Sequence, residues 1–283
     1  MTVGHACAIA LEMARTEMAA SSQHTYAWLA RQTLEYWGES RELESINRLQ
    51  VQAWANSLRD RMAASSLRTQ LSWLNKLYTI AFSQGHLYVS PVCQLRLPKL
   101  NNRRERVLQE EEEPALMREL GPARWSLVLF ALHTGMRRKE QFSLETHDVS
   151  WWEEGGQLRG MAWIRTSKTG RGRKCPLNPV AAKIAREWAK RKLRYLFGGQ
   201  GGDRLSVGQY YSSLLQEACE RAGIHGLRWH DLRHTCASRA IQRGAKLEQV
   251  QALLGHSSVT QTERYTHWRE DHLWAAAMAL VGR

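Results

Sequence analysis

The sequence lacks the patterns that build disulfide frameworks, structural zinc sites or phosphate-binding loops. Its five cysteines, Cys7, Cys93, Cys175, Cys219 and Cys236, are an odd number with no CxxC pair. That pattern supports neither a disulfide framework nor a structural zinc site, and it suits a reducing compartment. No run approaches the ~18 apolar residues of a membrane span. The opening MTVGHACAIALEMARTEMAA has no basic n-region and is interrupted by Glu12 and Glu17, so it reads as a helix and not as a signal peptide. The glycines of GGQGGD, residues 198–203, lack the Lys-Ser/Thr of a phosphate-binding P-loop. There is no internal repeat. These absences predict a cytoplasmic protein without membrane association, metal or cofactor.

Acidic residues are also in short supply. Against 27 Asp and Glu stand 40 Lys and Arg among 283 residues, a formal net charge of +13. An excess of that size points to a polyanionic partner, nucleic acid before anionic membrane. It is uneven: residues 1–100 carry 10 basic and 7 acidic side chains, and residues 101–283 carry 30 and 20. The chain is long enough for two domains.

Hydrophobic periodicity divides the chain. Residues 22–37, 45–62 and 65–84 carry apolar side chains at three- and four-residue spacing, so residues 1–90 read as a helical domain. In the last of these helices Leu67, Leu71, Leu74, Leu77, Tyr78 and Ala81 share a face. Arg68, Ser72 and Lys76 share the other, either as a solvated surface or with Arg68 and Lys76 meeting phosphates. Ser65 or Ser66 is the expected cap and Gly85 the expected end. Residues 91–107 hold Pro91, Pro98 and the basic cluster Arg103, Arg104 and Arg106. They read as a linker, solvated or laid along a DNA backbone.

Residues 108–283 form the second domain. LQEEEEPALMREL opens it with carboxylates suited to a helix start, and RWSLVLFALHTG reads as a buried helix stopped by Gly135. HDVSWWEE, GMAWIRTSK and RKCPLN are short β-prone runs separated by glycine-bearing turns, which predicts a three-stranded antiparallel sheet. PVAAKIAREWAKRKLRYLF, LSVGQYYSSLLQEACERAG, HDLRHTCASRAIQRG, LEQVQALLG and VTQTERYTH then read as helices. The fold class is mainly α with one small sheet, in two domains.

Several polar residues recur at positions where they can converge. His230 and Arg233 lie three apart near a helix start, on one face. His230 and His234 have the spacing of a helical zinc pair, but Asp231 replaces the glutamate of HExxH and Arg233 lies between them, which disfavours a metal. Arg137 follows the buried helix with Glu140 three residues on, placed to orient it or simply to pair with it. Lys168 sits at a glycine-bearing hairpin tip.

The ordered set TGMRRKE, a hairpin lysine before RGRKCPL, HDLRHT, LGHSS and RYTH resembles the catalytic domain of the tyrosine recombinase or phage-type integrase family over residues 108–267. The helical residues before the linker resemble that family's core-binding domain less specifically. The resemblance implies an active site of Arg137, Lys168, His230, Arg233 and His256, with Tyr265 as nucleophile. Arg137 fits the family's T-G-x-R pattern better than Arg138. It implies site-specific cutting and rejoining of double-stranded DNA through a 3′-phosphotyrosyl intermediate and a Holliday junction, by four protomers on two duplexes. An accessory DNA-bending or directionality protein is a further expected partner.

The chemistry accounts for the residue types. Attack on a phosphodiester builds negative charge on the non-bridging oxygens, which two arginines clamp with charge-assisted hydrogen bonds. The same charges favour the phenolate of Tyr265. The resemblance, which alone separates the two histidines, implies that His230 accepts the proton, that Lys168 donates to the departing 5′ oxygen, and that His256 is a phosphate ligand or a tuner of the nucleophile. Because the phosphotyrosyl bond conserves the phosphodiester energy, the reaction calls for no cofactor. The tail WREDHLWAAAMALVGR has a helical apolar face that packs on its own domain or docks on a neighbouring protomer. Two other readings are a DNA-binding module of the same fold without catalysis and a type IB topoisomerase-like enzyme.

Overall fold

The computed structural model describes residues 1–86, 89–92, 95, 97, 106–165, 172–198 and 205–255. The chain divides into two compact units, Met1–Arg103 and Arg104–Arg283. None of the described helices is long and apolar enough to cross a membrane.

The first unit is helical: α1 Val3–Glu17, α2 Ala20–Trp37, α3 Arg48–Arg59 and α4 Ala64–Ser83. Helix α3 is shorter than its periodicity implies because a separate 3-10 turn, Leu43–Ser45, precedes it and Asn47 caps its start, accepting from the amide of Gln50 at 3.0 Å. Helix α4 buries Leu67, Leu71, Leu74, Leu77, Tyr78 and Ala81, the face its spacing predicts. Its cap differs: Ala63 is the N-cap, without a side-chain bond, and both Ser65 and Ser66 lie inside the helix. At the other end Gly85 takes φ 77°, and the amide of His86 donates to the Ala81 carbonyl at 2.9 Å. One polar network crosses this core. Thr33 Oγ1 donates to the Leu29 carbonyl at 2.9 Å and accepts from Gln70 Nε2 at 3.2 Å and Trp73 Nε1 at 3.1 Å. Beyond α4, Val92, Leu95 and Leu97 pack against the same core, so the first part of the expected linker is anchored here.

The second unit is built around α5, Glu113–Thr134, which packs against α7 Pro179–Ala189, α8 Leu205–Arg221 and α9 Trp229–Gln242. Helix α5 kinks at Gly121, whose φ of 70° is non-helical, immediately before Pro122. Its second half is buried on nearly all sides, at Trp125, Leu127, Val128, Phe130, Ala131, Leu132 and Thr134. After Gly135 come the short α6, Arg138–Phe142, and then the sheet. Strands β1 Val149–Glu154, β2 Gln157–Ile164 and β3 Arg173–Leu177 pair antiparallel in that order. The β1–β2 turn is Gly155-Gly156, both at positive φ as a tight hairpin requires. Val149, Ala162 and Cys175 lie in register and face the core, while Trp152 and Trp163 face outward.

Helix α7 ends well before the periodicity of residues 179–197 suggests. The chain turns at Lys192 (φ 55°) and runs back beside residues 144–146, where the Leu196 amide donates to the Leu144 carbonyl at 2.8 Å. Phe197 then stacks edge-on against Phe130 with ring centroids 4.7 Å apart. Two apolar residues that would extend a helical stripe instead fill the core from a loop. The last described helix, α10 Leu247–Leu254, lies against α9 and ends at Gly255.

Candidate active site

Four chain ends in the second unit meet at one place: the end of α5, the start of α6, the start of β3 and the end of α10. Gly135 closes α5 in the left-handed conformation, φ 61°, which a residue with a Cβ adopts only at a cost. Two residues later Arg137 is the N-cap of α6. Glu140 folds back over that start. One carboxylate oxygen accepts from the Arg137 amide at 2.9 Å and the other from Arg137 Nη1 at 2.7 Å. The guanidinium of Arg137 is thus held while remaining 29% exposed.

Glu140 is almost fully buried and serves a second arginine. Arg173, the first residue of β3, donates from Nη2 to Glu140 Oε2 at 2.9 Å and from Nη1 to the Leu253 carbonyl at 2.7 Å. Burial pushes the Glu140 carboxyl up, but the Arg173 charge and the hydrogen bonds and charge of Arg137 outweigh it, so the group is held below the usual carboxylate range.

Arg233 lies on α9, only 3% exposed. It donates from Nη1 to the Gly135 carbonyl at 2.7 Å and from Nη2 to the Leu254 carbonyl at 2.8 Å. The last turn of α10 therefore receives two guanidinium groups on successive carbonyls. Those carbonyls have no partner within their helix and lie at its negative end, so cations satisfy them twice over. Gly255 follows, φ 66°, and the next residue is His256. Two guanidinium groups on one carboxylate, with a third on the adjoining carbonyls, leave the junction with an excess of positive charge, suited to an anion.

His230 is exposed in the first turn of α9, one helical step before Arg233. Its ring meets that of the buried His234 edge-on at 5.0 Å and 90°. The local fold is set by Asp231, whose carboxylate accepts from the Arg228 amide at 2.8 Å and caps the helix. On the far side of Glu140 a small pocket contains Glu145, Asp148 and Arg165. Glu145 is paired with Arg194 at 3.0 Å, and Asp148 with Arg165 at 2.7 Å.

The residues expected from the sequence thus have unequal outcomes. Arg137, Glu140 and Arg233 take part in this junction, and His230 lies on α9 three residues before Arg233. Lys168, His256, Tyr265, the tail, Arg103 and Arg104 lie outside the described residues. Arg68 and Lys76 belong to the first unit, both half-buried on α4, with the Lys76 ammonium 5.9 Å from the centre of the Tyr26 ring. Arg106, expected as a phosphate contact, is held by groups of the protein itself. Its guanidinium is tied to the carbonyls of His225 and Val107 and to the Glu112 carboxylate, fastening the entry of α5. Arg173 was not singled out by the sequence. It lies in RGRKCPL among several basic residues, and nothing there separates it from its neighbour Lys174.

A model of the phage integrase family matches residues 89–272. The tyrosine recombinase XerC of Xylella fastidiosa (strain M23) is 28% identical over 244 residues, covering 82% of this chain and 81% of that protein. The integrase of Salmonella phage P22 is 29% identical over 224 residues, covering 75% of this chain and 56% of that protein. Among solved structures, a lambda integrase tetramer bound to a Holliday junction superposes with a TM-score of 0.78 at 18% identity, covering 94% of this chain and 77% of that one.

Proposed function

The chain belongs to the phage integrase family and is a site-specific DNA recombinase, and we propose that it cuts and rejoins double-stranded DNA through Tyr265. The phenolic oxygen attacks the phosphorus, a bond forms between them, and the bond to the 5′ oxygen breaks. The DNA is left joined to the protein through its 3′ phosphate. His230 takes the phenol proton and Lys168 supplies one to the 5′ oxygen. Attack by a 5′ hydroxyl from a second duplex reverses the step and moves the strand, and two such exchanges pass through a Holliday junction. His256 binds the phosphate or tunes the nucleophile.

The observation that carries this reading is the pairing of Arg137 and Arg233 at one junction. Arg233 is anchored on the carbonyl of Gly135, two residues before Arg137, and Arg137 is held by Glu140. Two guanidinium groups oriented before substrate arrives are what the developing charge of a phosphoryl transition state calls for. Four protomers act on two duplexes, the tail docks on a neighbour, and an accessory DNA-bending or directionality protein assists assembly. Residues 1–90 act as the core-binding domain, 91–107 as linker and 108–283 as the catalytic domain, with Arg68, Lys76, Arg103 and Arg104 as backbone contacts on DNA.

Covalent trapping tests the reading. The protein and its Tyr265→Phe variant are mixed with nicked duplexes tiled across the DNA flanking the gene, then run on denaturing gels. A denaturant-resistant protein–DNA band that vanishes in the variant is the expected result. Shifted DNA on native gels with no covalent band at any tile would overturn it in favour of a non-catalytic DNA-binding module.

A further inference from the structure

We propose that Arg173 is a positioning residue of strand cleavage, coupling the carboxylate that orients Arg137 to the end of α10, from which the chain runs on to His256 and Tyr265. The proposal rests on the recombinase reading above.

The geometry singles out Arg173 because its two terminal nitrogens serve different parts of the site. Nη2 reaches Glu140 at 2.9 Å, across 33 residues of sequence, and Nη1 reaches the Leu253 carbonyl at 2.7 Å, across 80. Glu140 in turn holds both the amide and the guanidinium of Arg137. The contact with α10 is also steric. A Cβ on Gly255 would lie 2.5 Å from Arg173 Cδ and 2.6 Å from its Nε, so the guanidinium stem packs directly against the residue preceding His256. Arg233 holds the adjacent carbonyl, Leu254, and also the end of α5. The two arginines thus fix the exit of α10 through successive carbonyls, Arg173 tying it to Glu140 and Arg233 to the end of α5. A guanidinium has the forked, always-charged geometry to make both of the Arg173 contacts, and a lysine ammonium can replace the charge but not the fork.

The consequence for the reaction is orientation. Without Arg173, Glu140 keeps only Arg137, and the last turn of α10 loses one of its two anchors. A displacement of about 1 Å in a reacting group costs on the order of 10²-fold in rate. Removing the Arg173 charge also lets burial raise the affinity of Glu140 for a proton, since the other groups facing it are Arg137, the Cys175 thiol of β3 and, across the small pocket, Glu145, Asp148 and Arg165. Protonated Glu140 no longer holds the Arg137 guanidinium as an ion pair.

The test is single-turnover cleavage of the nicked duplex identified by trapping, measured against pH for the full-length wild type, Arg173→Gln, Arg173→Lys, Glu140→Gln and the double variant Arg173→Gln/Glu140→Gln. Duplex affinity is measured in the same samples. For Arg173→Gln the expected result is a rate loss on the order of 10²-fold with affinity unchanged. Its acid limb should move to higher pH, and Arg173→Lys should move that limb back without restoring the full rate. The double variant should lose no more than the worse single variant, because both act through one network. A wild-type rate in Arg173→Gln, an unmoved acid limb, or additive losses in the double variant would each overturn the proposal while wild-type trapping stands. Absence of a wild-type covalent band, or its survival in Tyr265→Phe, would overturn the recombinase reading and this proposal with it.

Discussion

Gly135 and Leu254 approach so closely that a methyl group on the glycine would lie 2.4 Å from Leu254 Cδ2. The end of α5 and the end of α10 are thereby packed backbone to side chain, and Arg233 bonds the carbonyls of both residues. Gly135→Ala should therefore be costly on two counts. The left-handed backbone contributes about 1–2 kcal/mol, and overpacking against the buried Leu254 and Cys236 contributes ~1–3 kcal/mol. Urea unfolding of the variant should show a lower midpoint, whereas Gly156→Ala, at an open hairpin turn with nothing near its Cβ site, should show the backbone cost alone.

Arg137 and Arg233 should separate catalysis from stability. Alanine at either position is expected to reduce covalent trapping on the order of 10²–10³-fold, the usual loss for a preorganised transition-state donor. Only Arg233→Ala should also destabilise the fold, by about 1–3 kcal/mol for each buried carbonyl left without its donor. The Arg137 guanidinium is 29% exposed, and its partner Glu140 keeps Arg173, so its loss is mild for stability. Equal unfolding midpoints for the two variants would contradict this.

Glu140 makes stability depend on pH in a defined direction. Its folded-state affinity for protons is depressed below the ordinary value of 4.5, so the unfolded chain binds the proton more readily. The stabilisation is then fully present above about pH 4.5 and is lost as pH falls through the lower folded value. Unfolding midpoints of wild type and Glu140→Gln, followed downward in pH, should converge in that window. A constant gap would mean that the charge of Glu140 is not what stabilises the junction.

In the first unit, Thr33→Val should leave the Trp73 indole without its acceptor, since Trp73 Nε1 donates to Thr33 Oγ1 in the core. The expected cost is ~1–3 kcal/mol for one buried unsatisfied donor, and Thr33→Ser should recover most of it. Denaturant titrations of the two variants decide the point.

Most of the elements were legible in the sequence because they depend on local physics. Apolar spacing placed α4 and the buried half of α5, Gly135 marked the end of α5, and glycine-bearing turns separated three β-prone runs. The order of the motifs around Arg137, His230 and Arg233 is likewise written in the chain, and their joint meaning comes from the resemblance to the family. Where local signals failed, a distant partner had overridden them. Leu196 and Phe197 fit a helical stripe by spacing, yet pairing with Leu144 and packing on Phe130 draw them into a loop. Arg106 belongs by sequence to a basic linker, yet Glu112 and the His225 carbonyl hold it.

The sequence by itself determined which residue types are available for phosphoryl chemistry and in what order, because composition, spacing and turn chemistry are properties of neighbours. Only the tertiary structure decided which of the many arginines converge. Arg173 is joined to Glu140 and Leu253, and Arg233 to Gly135 and Leu254, by bonds spanning 21 to 98 residues. No periodicity encodes such contacts. They exist because packing α5, α9 and β3 into one core brings one buried and one partly buried guanidinium group to the unsatisfied carbonyls at a helix end.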